Sequence, residues 1–252
     1  MKRILLFGVG LALLLAPQQL AAQEAEEQSS QVYLAFYKVS FADLEEWISG
    51  HHTYEVPIME ELRNEGVIQN WAAWQHHTGS EYNWRMVIVA SEWSKFDTFW
   101  SEYLERWRER AGEDADRYMA MIQAHRDEIW DINESHQSGG PPAQYMYESA
   151  FQVSFSDMED WNRIWSETAA PALDQAMEDG LLSAWVVLGH NTGGRHNVKL
   201  LYFHDEWDEM DEFFEHYLGS LAADPEVWQS IGRMIDAHDD VIWAAVPPPT
   251  GN

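Results

Sequence analysis

Two short segments of the 252-residue chain place histidine, asparagine and a cation at the same spacing. His76 is followed by Thr-Gly, then by Asn83 and a cation two residues later, and the segment from His190 repeats this order. Six side chains are therefore candidates for ligand binding: His76, Asn83, Arg85, His190, Asn197 and Lys199. Imidazole can act as an acid, a base or a ligand, and a cation suits an anionic or carbonyl oxygen. The alternatives are a turn held by hydrogen bonds and salt bridges to surface acids.

A second repeated pattern pairs a histidine with an aspartate two residues later. It occurs as His125 with Asp127 and as His238 with Asp240. Each pair lies where a helix is expected to lead into a final strand, so a protonated imidazole would complement the helix C-terminus. Zinc needs three or four ligands in a defined geometry, which two residues do not supply. No metal site is predicted.

These matches belong to an internal repeat. Shifting the sequence by 114 residues aligns positions 39–104 with 153–218 without a gap and gives 19 identities in 66 positions. After a one-residue deletion the match resumes up to the end of each copy. The segment 135–144 contains Ser-Gly-Gly-Pro-Pro and is predicted to be a linker. Two repeats are too few for a solenoid, so each copy is interpreted as a small domain or half-domain.

Other patterns that could carry chemistry are weak or missing. His51 and His52 align with Trp165 and Ser166, so they are not a repeated feature, and a solvated helix face accounts for them. The sequence has no GxSxG, HExxH, P-loop or GxGxxG motif, which removes the usual support for hydrolases, zinc proteases and nucleotide-binding enzymes. It has no cysteine, so disulfides and thiolate metal sites are excluded. No cofactor is predicted.

The elements that must position these residues follow the order βαββαβ in each copy. Strand-like runs are followed by Ser-x-x-Asp capping boxes at Ser40 and Ser154, and Pro57 and Pro171 interrupt the helical region that follows. A strand hairpin, a second helix and a short last strand complete each copy. Aromatic residues kept in both copies are predicted to form the core: Phe41/Phe155, Trp47/Trp161, Trp71/Trp185, Phe99/Phe213 and Trp130/Trp243.

Strand alternation predicts where the two matched cations point. Arg85 and Lys199 lie two residues beyond Asn83 and Asn197, so each shares a strand face with its asparagine. Both faces of these strands are largely apolar, which indicates that both sides are covered. A cation on a covered strand costs several kcal/mol unless it is paired or given to a ligand. We therefore expect both side chains to point into the protein interior.

The element order and the duplication resemble the dimeric α+β barrel superfamily, in which two ferredoxin-like βαββαβ modules face each other across a barrel. The resemblance implies an α+β fold of two tandem modules packed as a pseudo-dimeric barrel within one chain, so a monomer is expected. The superfamily includes cofactor-free monooxygenases, isomerases, decarboxylases and haem-dependent enzymes. Because one fold hosts such varied chemistry, fold alone does not decide the function.

The N-terminus and the charge indicate compartment and partners. Lys2 and Arg3 precede an apolar run, residues 4–16, which is too short to span a bilayer and predicts a secretory signal peptide ending near Ala22. The mature protein is therefore expected in the periplasm or outside the cell, without a membrane anchor. With 43 acidic and 15 basic residues the net charge is −28, which disfavours nucleic acid as a partner.

The predicted organisation and function combine these observations. The segments are 1–22 signal peptide, 23–30 acidic leader, 31–134 first module, 135–144 linker, 145–246 second module and 247–252 tail. The preferred hypothesis is an exported barrel that holds a small molecule between its modules through aromatic side chains and the six candidates. The alternatives are a cofactor-free oxygenase-like or isomerase-like enzyme, a haem-binding barrel with an axial histidine, and an interaction protein without a pocket. Whether the protein is an enzyme stays open.

Overall fold

A computed structural model describes residues 30–139 and 142–246 of the chain. The predicted signal peptide, nearly all of the acidic leader and the C-terminal tail lie outside the described residues. Within the described residues, no helix combines the length and the apolar character that crossing a membrane requires.

The first half contains four strands with helices between them. Its elements are β1 (Gln31–Val39), α1 (Leu44–Gly50), a π-helical turn (His51–Glu55), α2 (Val56–Asn64), β2 (Asn70–Thr78), β3 (Trp84–Ala90), α3 (Ser94–Ala111), a 3-10 turn (Gly112–Asp114), α4 (Ala115–Ala120) and β4 (Ile122–Gln137). β4 is longer than predicted and runs three residues into the segment interpreted as a linker. Its end is held because Gln137 pairs with Ala184 of the second half.

The second half repeats this order of strands and helices. Its elements are β5 (Tyr145–Val153), a 3-10 turn (Phe155–Asp157), α5 (Met158–Ile164), a π-helical turn (Trp165–Ala169), α6 (Ala170–Glu178), β6 (Ala184–Thr192), β7 (Val198–His204), α7 (Glu209–Ala222), α8 (Pro225–Met234) and β8 (Ile235–Ala245). In both halves the π-helical turn lies directly before the proline of the next helix, which cannot donate an N–H to the preceding turn.

The eight strands form one closed antiparallel barrel in the order β1-β3-β2-β8-β5-β7-β6-β4. The two halves join where β2 pairs with β8 and where β4 pairs with β6. Helices cover the outside of the barrel, so each strand has one face toward the barrel interior and one toward the helices. The predicted α+β class is confirmed, and closure leaves no strand edge unpaired in the barrel.

Alternation along β3 and β7 follows the predicted faces. Val87 and Leu201 pack in the barrel interior with Phe36, Trp130 and Trp243, whereas the alternate residues pack under the helices. Two further apolar clusters, one per half, fill the space between the sheet and its helices. Four of the five repeated aromatic pairs are buried, as predicted.

The fifth repeated aromatic pair does not lie in the core. Phe41 and Phe155 are 81% and 84% exposed, which corrects the prediction from their repetition. Each lies in a turn that follows the capping serine rather than in a helix, because Asp43 and Asp157 donate their N–H groups to the serine carbonyls at 3.0 Å. Helix α1 begins only at Leu44, without a side-chain cap, so the predicted capping box is a hydrogen-bonded turn.

Candidate functional site

The two matched cations lie inside the barrel and are paired with carboxylates of the protein. Arg85 and Lys199 are almost fully buried. Arg85 donates to Glu148, and Lys199 contacts Glu148 and also lies 2.8 Å from Glu128. We call these four residues the barrel charge network: Arg85, Glu128, Glu148 and Lys199.

The barrel charge network joins the two halves. Arg85 of the first half binds Glu148 of the second, and Lys199 of the second half binds Glu128 of the first. Burial raises the pKa of Glu148, but Lys199 and Arg85 oppose it, and the pKa falls to about 2. Both carboxylates are therefore ionised and neutralise the two cations. These positive charges need no anionic ligand to balance them.

Asn83 and Asn197 continue the sheet instead of lining a cavity. The amide of Asn83 accepts from the backbone N–H of Val39 and donates to its carbonyl, both at 2.7 Å, and Asn197 does the same at Val153. β3 begins only after Asn83, so its side chain satisfies the end of β1 that the strand does not reach.

His76 and His190 stabilise the hairpin turns. Ser80 donates its backbone N–H to Nε2 of His76 at 3.2 Å, and Nε2 of His190 lies 2.7 Å from the carbonyl of Gly193. Burial, and then the neighbouring His77, lower the pKa of His76 and favour the neutral ring. The six sequence-chosen residues are thus divided among the barrel interior, the strand ends and the turns.

The first half encloses a cavity of about 510 Å³ between the sheet and its helices. We call it the first cavity. Its lining is mainly aromatic, with a few polar side chains: Tyr33, Tyr37, Trp47, Gly50, His51, Tyr54, Glu55, Trp100, Tyr103, Leu104, Trp107, Tyr118, Met119, Ile122, His125 and Asp127. A concave, mostly aromatic space with a small number of polar groups is typical of a small-molecule site.

A buried acid–base chain forms one wall of the first cavity. His51 and Glu55 begin and end the π-helical turn, and Nδ1 of His51 lies 2.6 Å from Oε2 of Glu55. The hydroxyl of Tyr103 donates to the other carboxylate oxygen of Glu55. Burial and the nearby Glu55 charge raise the pKa of Tyr103 well above its ordinary value, so this phenol stays protonated.

A second polar group lies on the strand side of the same cavity. Nε2 of His125 lies 2.8 Å from Asp127, and the ring of Tyr37 stacks on the imidazole with 4.7 Å between centroids. Tyr33 donates to Asp127, and burial together with this carboxylate raises the pKa of Tyr33. β4 starts at Ile122, so the His-x-Asp pair lies within the strand and its alternation directs both side chains toward the helices.

The second half has a cavity of about 440 Å³ at the equivalent place. We call it the second cavity. Its lining is Tyr147, Ser149, Phe151, Trp161, Ile164, Trp165, Ala169, Leu200, Tyr202, Phe214, Tyr217, Leu218, Leu221, Trp228, Ile231, Ile235, His238 and Asp240. His238 lies 2.9 Å from Asp240, and Phe151 stacks on it at 4.7 Å, as Tyr37 does on His125.

The two cavities differ at the acid–base chain. Trp165 and Ala169 occupy the positions equivalent to His51 and Glu55 in the self-alignment. The indole of Trp165 donates to Glu134 at 2.8 Å and contacts Trp185 edge-on. Of the two cavities, only the first therefore combines a buried imidazole with a buried carboxylate.

The sequence interpretation of His51 was wrong. His51 is buried and packs against Trp84, with ring centroids 4.9 Å apart, instead of lying on a solvated helix face. A usable signal was present, because His51 and Glu55 are four residues apart and such a spacing places both side chains on one helix face.

Among the described residues, no group of three His, Asp or Glu side chains is arranged to hold a metal ion. No family model matches the sequence, and no curated protein matches it.

Solved structures are similar in fold. A candidate monooxygenase from Lactobacillus acidophilus NCFM matches with a TM-score of 0.59 and 9% identity over 87% of this chain and 95% of that one. A variant chlorite dismutase from Candidatus Nitrospira defluvii gives 0.59 and 7% over 88% and 92%. A haem-binding protein from Thermus thermophilus gives 0.54 and 9% over 86% and 92%. These neighbours are dimeric α+β barrels, so the predicted resemblance is confirmed for the fold.

Proposed function

We propose that the first cavity binds a planar, mostly apolar organic molecule with an acidic hydroxyl or enol, and that His51 exchanges a proton with it. The observation that carries this proposal is the chain from His51 through Glu55 to Tyr103 in the wall of an aromatic cavity. The ligand is thus placed between sheet and helices of the first half, and not between the two halves.

The arrangement suits a general base. Glu55 engages Nδ1 of His51, which fixes the ring and leaves Nε2 as the nitrogen for a cavity occupant. A carboxylate at this position stabilises the imidazolium that forms when Nε2 takes a proton. Tyr103 holds the carboxylate from the other side. The proton would pass from the ligand hydroxyl to Nε2 and leave a delocalised oxyanion on the ligand.

This chemistry supports an enzyme of the cofactor-free oxygenase or isomerase kind. An oxyanion conjugated with an aromatic ring is electron-rich at carbon, so it can return the proton to a carbon atom, which is an isomerisation, or react with dioxygen as a co-reactant. Aromatic walls stabilise such a planar ligand by stacking. The half-exposed His125 and Asp127 provide polar contacts on the strand side.

Haem fits the first cavity poorly. His51 could serve as an axial ligand, but the sixteen described residues that line the cavity include no lysine or arginine. The two haem propionates would therefore lack cationic partners in the lining. Arg117 stacks on Tyr118 nearby, yet it is held by Glu46 and Asp114. No step through haem is proposed.

We also propose that the two halves are copies of one ferredoxin-like module, so that a single chain closes the barrel, and that the protein is exported. The 19 identities between the halves and their equal element order support the first part. The basic start and apolar run at the N-terminus support the second.

Titration of a coloured phenol tests the proton transfer. The probe is 4-nitro-1-naphthol, whose ionised form absorbs visible light, added at a pH where the free dye is mostly protonated. We expect the protein to lower the apparent pKa of the bound dye by about one unit or more, because an imidazolium beside the oxyanion favours ionisation. His51→Gln should abolish this spectral shift while binding persists.

His238→Gln is the matched control, because His238 has the same place in the second cavity as His125 has in the first. This variant should keep the full spectral shift of the dye. A native protein that binds the dye without ionising it, or a His51→Gln variant that still ionises it, would contradict the proposal.

A further inference from the structure

We infer that the second cavity is a separate binding site, selective for an uncharged, planar and mostly apolar molecule. This inference rests on the geometry of the second cavity alone and does not depend on the proposed function of the first. With about 440 Å³, the second cavity lies in the size range of small-molecule sites.

The described lining of the second cavity offers no free charge to an ion. Its only charged or titratable groups besides tyrosines are His238 and Asp240, and these lie 2.9 Å apart. Ser149 donates to Asp240 at 2.8 Å, and Tyr147 donates to the same carboxylate. An ion that entered would lose its hydration without gaining a partner, whereas a neutral molecule has no such cost.

The walls and the rim favour a flat, apolar shape. Trp161, Phe214 and Tyr217 provide ring surfaces within the cavity. At its rim, Trp228 and Leu218 are 45% and 42% exposed, although both are large and apolar. A ligand that seals the opening would cover this apolar surface, which is stabilising at about 25 cal/mol for each Å².

The second cavity lacks the means to transfer a proton as the first is proposed to do. Trp165 replaces the imidazole, and its N–H is already given to Glu134. Ala169 replaces the carboxylate. The second cavity is therefore a binding site that holds its ligand unchanged, as an effector or carrier site would.

Stoichiometry with a neutral probe tests this inference. The probe is N-phenyl-1-naphthylamine, which is uncharged and fluoresces in apolar surroundings. Leu218→Trp fills the second cavity, and Leu104→Trp fills the first at the equivalent position, so each variant controls for the other. We expect two bound probes per native chain and one in either variant.

A charged analogue tests the selectivity. In the Leu104→Trp variant, where only the second cavity is open, 1-anilinonaphthalene-8-sulfonate should bind at least about tenfold more weakly than the neutral probe, or about 1.4 kcal/mol. Equal affinities would overturn the selectivity for an uncharged ligand.

Two results would overturn the site itself. One is a native chain that binds a single probe, which Leu104→Trp removes. The other is a folded Leu218→Trp variant that still binds two. If far-UV circular dichroism shows that Leu218→Trp does not fold, Ala169→Leu narrows the same cavity and serves instead. Ionisation of 4-nitro-1-naphthol should persist in Leu218→Trp, so a failure of this site and a failure of the proposed function are distinguishable.

Discussion

Neutralising Glu148 should destabilise the fold by an amount that depends on pH. The pKa of this buried carboxyl falls from its ordinary 4.5 to about 2, because Lys199 and Arg85 outweigh the effect of burial. At about 1.4 kcal/mol per pKa unit, the ionised form is about 3 kcal/mol more favourable in the folded state than the protonated form. Removing one member of a buried ion pair costs about 3–5 kcal/mol in other proteins, which agrees.

The direction with pH follows from the lowered pKa. The ionised carboxylate stabilises the folded state above about pH 4.5, and this contribution is lost as the pH falls from 4.5 through 2. Glu148→Gln should therefore lower the free energy of unfolding by about 3 kcal/mol at pH 7 and by much less near pH 2.5. Urea unfolding of both proteins, followed by far-UV circular dichroism at several pH values, measures the difference.

Two comparison variants sharpen this test. Glu102→Gln removes an exposed partner of Arg106 and should leave the unfolding free energy nearly unchanged. Glu148→Leu with Arg85→Met removes both charges of one buried pair and should recover most of the loss, since Leu34 occupies the equivalent position in the first half. A Glu148→Gln effect that is the same at pH 7 and pH 3, or below about 1 kcal/mol at pH 7, would refute this account of the barrel charge network.

Two further predictions concern the frame around the cavities. Gly79→Ala should cost more than about 2 kcal/mol, because φ is +92° and an added Cβ would lie 2.3 Å from the carbonyl oxygen of Asp240, whereas Gly66→Ala (φ +75°, open space) should cost about 1 kcal/mol; equal losses in urea unfolding would contradict this. Asn83→Ala and Asn197→Ala should each cost about 2 kcal/mol, because each leaves a buried strand end without two hydrogen bonds, and losses below about 0.5 kcal/mol would show that water replaces the amide.

The sequence predicted the elements and the direction of the matched cations well. Alternation with a period of two places every second residue of β3 on one face, so Arg85 had to share a face with Val87 and Val89. The apolar character of both faces indicated that the strand is covered on both sides. Closure of the barrel depends on pairing between β2 and β8 and between β4 and β6, which no local pattern encodes.

The candidate site was missed for a physical reason. Comparing the two halves selects residues that both halves need, and these proved to be strand ends, turns and core. Glu148 aligns with Leu34, and His51 aligns with Trp165, so chemistry present in one half only does not register in such a comparison. Repetition did not imply burial either, since Phe41 is repeated and exposed.

The two halves separate the frame of a cavity from its chemistry. Both use a π-helical turn before a proline, both place a His-x-Asp pair on the last strand, and both stack an aromatic ring on that histidine. The backbone that positions the wall is thus the same, and the difference lies in side chains: His51 and Glu55 on one turn, Trp165 and Ala169 on the other. An imidazole–carboxylate pair in an aromatic wall has a desolvation cost that tryptophan and alanine do not have. Its presence in only one half therefore points to a use beyond packing, and the first cavity is where that use should be sought.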